Sequence, residues 1–381
     1  MGKWFMNNKK RKRVLTLILA IAMVFPVNWS GLQTDASVSG QTQKVASITK
    51  MGLGTNTLIN SKLKITGKTK KVAYKNTPYG KHGKLKVVGT DLVDKNGDKF
   101  QIKGVSTHGI NWDVGNPYVN KKAFRNLRDE WGVNCIRVAM YTEDYNGYCV
   151  TSATEKKKLL KTINKAVKYT KSLGMYCIID WHILNDQTPV KNQAKAKAFF
   201  KKVSKKYKKY GNVLYEICNE PNGGTTWSDV KSYAKKVIKV IRKNNKKAII
   251  IVGTPTWSQD VDVASYDPIK GKNIMYTVHF YAATHGQYLR DKVQTALNNG
   301  LPVFCTEFSA CESTGDGYIN KSEANTWIKF LDKNNISYVC WSLTNKAESA
   351  SLLKSSSTRV NGFKTSDLST MGKWLIKKYT K

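Results

Sequence analysis

The sequence predicts an α/β fold, a (β/α)8 TIM barrel with a short β-hairpin in front of it, on three observations. Eight short apolar, β-branched runs recur near 102–107, 134–140, 175–180, 213–218, 248–253, 274–280, 302–306 and 336–342. Longer stretches with helical spacing separate them, and the repeat fills roughly 280 residues, close to the length that such barrels need. The third observation is what closes each run: polar and aromatic residues stand at the ends, where a barrel carries its site.

The first 36 residues stand apart. Lys9-Lys10-Arg11-Lys12-Arg13 precedes the apolar run Val14 to Phe25, then Pro26 and small or polar residues to Ala36. That is the layout of a secretory signal peptide, and the run is too short to span a bilayer of roughly 30 Å. Export is therefore expected, with a retained anchor as the alternative. Residues 37–83 carry nine lysines and no acid among Ser, Thr, Gly and Asn, which predicts a solvated basic linker. The barrel domain is expected over 84–381. It opens with two alternating apolar runs around Asn96-Gly97, a hairpin signal. The stretch 191–210 illustrates the helices: Ala196, Phe199, Phe200, Val203, Tyr207 and Tyr210 share one face and lysines cover the rest. An open doubly wound sheet is the structural alternative. It would place a Gly-rich phosphate turn after its first strand, and Gly104-Val-Ser-Thr-His-Gly109 does not have that spacing.

Sixty-four basic residues against 26 acidic give a net charge of +38, which makes nucleic acid the first partner to weigh. No helix-turn-helix, RNA-recognition or zinc-finger signature accompanies the charge. The lysines of the outer helix faces are expected to form a diffuse solvated shell, with loose attraction to anionic cell-wall polymers, no nucleic-acid partner and a monomeric state. Of seven cysteines, Cys135, Cys177, Cys218, Cys305 and Cys340 sit inside apolar runs, as buried hydrophobes do, and only Cys149 and Cys311 fall in loop-like sequence. Free buried thiols in an exported protein fit an anaerobic habitat. No metal is expected, since no HExxH, HxH or CxxC pattern occurs, and Asp94-Lys-Asn-Gly-Asp98 lacks the closing Glu of a calcium loop.

The chemistry is expected at the strand ends. His108 follows the first strand, Tyr141 the second, Asp180-Trp181-His182 the third and Asn219-Glu220 the fourth. His279-Phe-Tyr281 closes the sixth, Glu307 the seventh and Trp341 the eighth, while Arg137 lies within the second strand, pointing inward or toward the helices. Two carboxylates facing each other across a barrel suit glycoside cleavage: one protonates the leaving oxygen and the other stays ionised. Trp112, Trp257 and Trp341 could stack on sugar rings, whereas Trp131, Trp227, Trp327 and Trp374 lie in helical stretches and read as core. A lone strand-end Glu is more often a structural ion-pair partner, and Glu216, inside the fourth run, reads that way.

Seven blocks in barrel order carry a family resemblance: Lys103-Gly-Val-Ser-Thr-His-Gly-Ile-Asn-Trp112, Cys135-Ile-Arg-Val-Ala-Met-Tyr141, Ile179-Asp-Trp-His-Ile-Leu184, Tyr215-Glu-Ile-Cys-Asn-Glu-Pro-Asn-Gly223, Thr254-Pro-Thr-Trp-Ser-Gln-Asp260, His279-Phe-Tyr-Ala-Ala-Thr-His-Gly286 and Cys340-Trp-Ser-Leu-Thr-Asn-Lys346. Over residues 84–353 the chain resembles glycoside hydrolase family 5, in its bacterial endoglucanase branch, subfamily 2. The resemblance implies a retaining endo-β-1,4-glucanase that needs no cofactor and takes a β-glucan polysaccharide as substrate. Glu220 would be the acid/base and Glu307 the nucleophile, oriented by Arg137 and Tyr281. Asn219 would hold the sugar 2-hydroxyl, His182 and His279 would support the carboxylates, and Trp341 would floor the cleavage subsite. His108, Trp112, Tyr141, Lys346 and Glu348 would bind further glucose units. Relatives read Glu-Trp-Gly where this chain reads Glu307-Phe308-Ser309, so an altered wall beside the nucleophile is expected. A related β-glycanase acting on mannan, xyloglucan or mixed-linkage glucan, and a wall-associated glucan-binding protein that has lost catalysis, remain as alternatives.

Overall fold

The computed structural model describes residues 63–380. The expected leader over 1–36 and the first part of the expected linker lie outside them. Residues 63–83 correct the linker boundary, because they pack on the domain. Ile65 is buried, its N–H donates to Thr365 Oγ1 at 2.7 Å, and the Glu130 carboxylate takes the N–H of Gly67 at 2.9 Å. A short helix α1 (Pro78–His82) follows, capped by Thr77, with Tyr79 edge-on to Tyr176 at 5.6 Å. The abundance of lysine masked these few apolar anchors.

Strands β1 (Lys86–Val88) and β2 (Asp91–Val93) pair antiparallel about Gly89-Thr90, so the hairpin turns earlier than expected. The Asn96-Gly97 turn also reverses the chain, but leaves only the bridge Val93–Lys99. Leu85, Leu92 and Phe100 from this region share a core with the barrel-lining Tyr176, Ile251 and Phe304, which closes the N-terminal mouth.

Eight parallel strands then close into a barrel: β3 (Lys103–Thr107), β4 (Cys135–Tyr141), β5 (Tyr176–His182), β6 (Val213–Glu216), β7 (Ile250–Val252), β8 (Ile274–Tyr281), β9 (Val303–Ser309) and β10 (Tyr338–Leu343). The connecting helices are α2 (Lys121–Trp131), α3 (Ala153–Leu173), α4 (Gln193–Lys206), α5 (Trp227–Asn244), the short pair α6 (Pro255–Ser258) and α7 (Val261–Tyr266), α8 (Gln287–Asn298), α9 (Lys321–Lys333) and, after the last strand, α10 (Thr370–Tyr379). Their starts are encoded locally. Ser152 caps α3, and Thr226 with Asp229 forms a reciprocal capping box on α5. The α4 face expected to be apolar is the face that is buried. Trp131, Trp227, Trp327 and Trp374 are buried too.

Two further features bear on function. All seven cysteines are buried and free, including Cys149 and Cys311, whose thiols burial pushes up to about 12 and about 11. The basic charge, expected as a diffuse shell, is concentrated. Helices α3, α4 and α5 hold seven, six and six basic side chains against one acid, none and one. Helices α2, α8 and α9 mix both signs.

Candidate active site

The strand ends converge on an open cleft of about 540 Å³, walled by His108, Tyr141, His182, Glu220, His279, Tyr281, Glu307 and Trp341. Strand geometry dictates that convergence: parallel strands in a closed barrel present their C-terminal ends to one mouth. Trp257, Lys346 and Glu348 complete the wall from the loops after β7 and β10. Three expected residues stand behind it. Arg137 and Asn219 are fully buried, and Trp112 sits one ring back, edge-on to Tyr141 at 4.5 Å.

Arg137 points into the barrel, where one guanidinium organises the floor. Its Nε and Nη2 donate to the two oxygens of Glu216 at 2.7 and 3.0 Å, and Nη2 also meets Asn219 Oδ1 at 2.6 Å. Nη1 reaches Glu307 Oε2 at 3.0 Å, and Asp180 lies at 3.0 Å from Nη2. Burial pulls against the guanidinium charge, but three carboxylates outweigh it and hold the group protonated. Glu216 thus has the structural role its place in an apolar strand suggested.

The two cleft carboxylates receive opposite treatment. Glu307 accepts from Arg137 and, at 2.7 Å, from the Tyr281 hydroxyl. Glu220 has a single side-chain partner, His279 Nδ1 at 2.9 Å. Burial raises both acids, and Glu220 is pushed up to about 8, further than Arg137 pulls it back. The donors on Glu307 select the form each holds: Glu307 is the ionised member and Glu220 the protonated one.

Hydrogen-bond directions agree. Thr306 Oγ1 donates to Glu216 at 2.7 Å and lies 2.9 Å from His279 Nε2, so it accepts the imidazole N–H. His279 is neutral, because burial drops it to about 4. Its Nδ1 is therefore an acceptor facing Glu220, whose carboxylic O–H supplies the proton. On the other side, His182 Nδ1 donates to Asp180 at 2.6 Å, and its Nε2 accepts from Asn219 at 3.3 Å. Asn219 spends its second N–H on the Ile183 carbonyl at 3.1 Å, so the amide is fully engaged.

Trp341 stacks on His182 with centroids 5.3 Å apart and forms one side of the cleft. Trp257 is 48% exposed on the wall of the same cleft and belongs to a run of three residues with left-handed backbone: Thr256 at φ 55°, Trp257 at 54° and Ser258 at 60°. Such a run of non-glycine residues is strained. It is held by Trp257 N–H on the Pro221 carbonyl at 2.9 Å and by Ser258 Oγ on the Asn219 carbonyl at 2.6 Å.

Phe308 of the altered Glu307-Phe308-Ser309 sequence does not stand on the cleft wall, which corrects that expectation for this position. Strand alternation turns Phe308 outward, where it stacks on Phe280 at 5.2 Å and meets Trp374 edge-on, fully buried. Sequence reasoning passed over Thr306, the link between His279 and Glu216. It also passed over Gln259, His285 and the Ser313–Gly315 loop on the cleft wall. A hydroxyl within an apolar strand, one residue before a candidate nucleophile, was the available signal for Thr306.

Glu220, His279 and Glu307 bring ligand atoms within 4.8 Å of one another, close enough to hold a cation. Arg137 already supplies the positive charge beside Glu307, and Glu220 is occupied by its imidazole, so the arrangement suits a pair of carboxyls in different protonation states, one able to give a proton and the other to act as an anion.

Residues 93–347 match the family model described as Cellulase (glycosyl hydrolase family 5). The chain belongs to that family. Among family relatives, the chain is 47% identical over 296 residues to an endoglucanase of Clostridium saccharobutylicum, covering 77% of this chain and 64% of that one. It is 46% identical to endoglucanase A of Butyrivibrio fibrisolvens, covering 77% and 68%. The chain thus spans about two thirds of the length of these relatives. The solved catalytic domain of Thermobifida fusca endoglucanase Cel5A, in complex with cellotetraose, superimposes with a TM-score of 0.73 at 32% identity, over 80% of this chain and all of that domain.

Proposed function

We propose that the protein is a retaining endo-β-1,4-glucanase. The observation that carries the reading is the pair of carboxyl groups with oxygens inside 4.8 Å, one held ionised by Arg137 and Tyr281 and the other held protonated against a neutral imidazole. So close an approach supports the retaining arrangement, with carboxyl groups about 5–5.5 Å apart, over the inverting one, in which about 6.5–9.5 Å leaves room for a water. Glu307 attacks the anomeric carbon while Glu220 gives its proton to the departing oxygen. A glycosyl–Glu307 ester results, and water then opens it as Glu220 takes a proton back. The open cleft admits a chain at its middle, which favours internal cleavage, and the relatives' endoglucanase names point to the same substrate class.

The test is viscosity loss and reducing-sugar release on hydroxyethylcellulose, lichenan, glucomannan and xyloglucan, with Glu220→Gln and Glu307→Gln as controls. Rapid viscosity loss on the cellulose derivative, abolished in both variants, supports the reading. Products of inverted configuration by NMR overturn the retaining step. Binding without cleavage replaces the enzyme with a glucan-binding protein. Export of the protein rests on the basic and apolar layout of residues 9–36. Recovery of the protein only from the cytoplasm of the producing cell would refute it.

A further inference from the structure

The concentration of lysine on one side of the barrel reaches beyond the cleft. Helices α3, α4 and α5 are consecutive and adjacent. Asn244 at the end of α5 donates to the Lys201 carbonyl and to Ser204 Oγ of α4, and Tyr207 after α4 donates to Asn164 of α3. All six lysines of α4 are exposed, and Lys208, Lys209, Lys246 and Lys247 extend the face past the helix ends. Among the described residues Lys201, Lys202, Lys205, Lys206, Lys239 and Lys243 have no carboxylate partner. Burial and the neighbouring Lys168 and Lys202 hold the Lys206 ammonium below its ordinary range, so the charges are close enough to repel.

Two ordinary explanations fall short. A helix macrodipole rewards cations in the last turn, yet Lys195 and Lys197 stand in the first turns of α4, where they are disfavoured. Solubility needs net charge but no segregation, and α9 on the far side balances its lysines with Glu323 and Asp332. Since the helices run back from the cleft mouth, the densest part of the face lies toward the end of the barrel opposite Glu220 and Glu307.

We propose that this face binds a linear polyanion with a phosphodiester backbone and no aromatic bases, leaving the cleft free. Its chemistry narrows the partner. The face is lysine throughout except for Arg242, and lysine meets phosphate oxygens as a point charge, whereas planar carboxylates favour the arginine fork. Single-stranded nucleic acid calls for aromatic platforms, and none of the exposed large aromatic side chains lies on α3, α4 or α5.

The experiment uses the full chain on immobilised poly(glycerol phosphate) over a salt series. One variant replaces Lys201, Lys202, Lys205, Lys206, Lys239 and Lys243 with Gln. A control makes the same change at Lys121, Lys122, Lys329, Lys333, Lys373 and Lys377. The first variant should bind at least tenfold more weakly at about 0.1 M salt. Its slope of log K against log salt should be shallower by about 0.7 for each phosphate deprived of its lysine. The control should keep both properties, and both variants should cleave neutral glucan as the wild type does. On the wild type itself, the polymer should shield lysines of α4 and α5 from acetylation and leave those of α9 and α10 open. Equal weakening in the two variants, or equal shielding on both sides, overturns the proposal. Tighter binding of single-stranded RNA or of polygalacturonate at matched charge overturns the choice of partner.

Discussion

Replacing Glu220 with Gln should make the protein more stable in a pH-dependent way. The carboxyl is raised from 4.5 to about 8 by burial, opposed by Arg137. Between those values the folded state binds a proton that the unfolded chain releases, so stability is complete below pH 4.5 and is lost as pH rises toward 8. Each pH unit in that window is worth about 1.4 kcal/mol, which sets a ceiling of about 4–5 kcal/mol; sharing of charge with Glu216 and Glu307 should leave about 2–3 kcal/mol. An amide at this position stays neutral and can still donate to His279 Nδ1, as the acid does at 2.9 Å. Urea unfolding of both proteins at pH 5 and pH 8 measures the effect. The variant should gain on the wild type by about 2–3 kcal/mol between the two pH values. Parallel stabilities would refute both the raised pKa and the proton's assigned place.

Three other substitutions probe the surroundings of the carboxyl pair. Tyr281→Phe removes a donor from ionised Glu307, worth about 1.5–3 kcal/mol; the acid limb of the kcat/KM profile on a neutral glucan should rise by about 1–2 pH units. Phe308→Trp should cost about 1–3 kcal/mol through overpacking against Phe280 and Trp374, measured as a lower Tm, while KM stays unchanged. Thr256→Gly relieves one left-handed residue and should stabilise by about 1 kcal/mol in urea unfolding, while loosening Trp257 and raising KM for long glucans.

The barrel was legible because its strand runs and strand-end residues repeat at a regular interval, and that repeat carried Glu220, His279 and Glu307 to the right mouth. The direction of Arg137 was not. A strand buried on both faces has no polar side to fix its parity, so one charged residue could point either way. For Phe308 parity was available: once Glu307 faces the cleft, its neighbour must face the helices. The left-handed run at Thr256–Ser258 left no mark, since Pro-Thr-Trp-Ser contains no glycine to announce it. The lysine face was readable by counting helix by helix, and a whole-chain charge of +38 averaged it away. Ile65 and Tyr79 anchor a segment whose composition is otherwise that of a tail.

The seven enclosed thiols make the molecule a convenient reporter of its own opening. With every native sulfhydryl shut away and those of Cys149 and Cys311 held far from ionisation, native protein should be silent to maleimide reagents. One cysteine engineered onto an exposed helix turn would then accept a dye or a crosslinker at a single address, with no need to strip the natural ones. Under rising denaturant, the mass added by an alkylating pulse would count how many of the seven have come into reach. Because they are distributed over β4, β5, β9, β10 and the loops between, such a count would tell whether the barrel comes apart in one step or strand by strand.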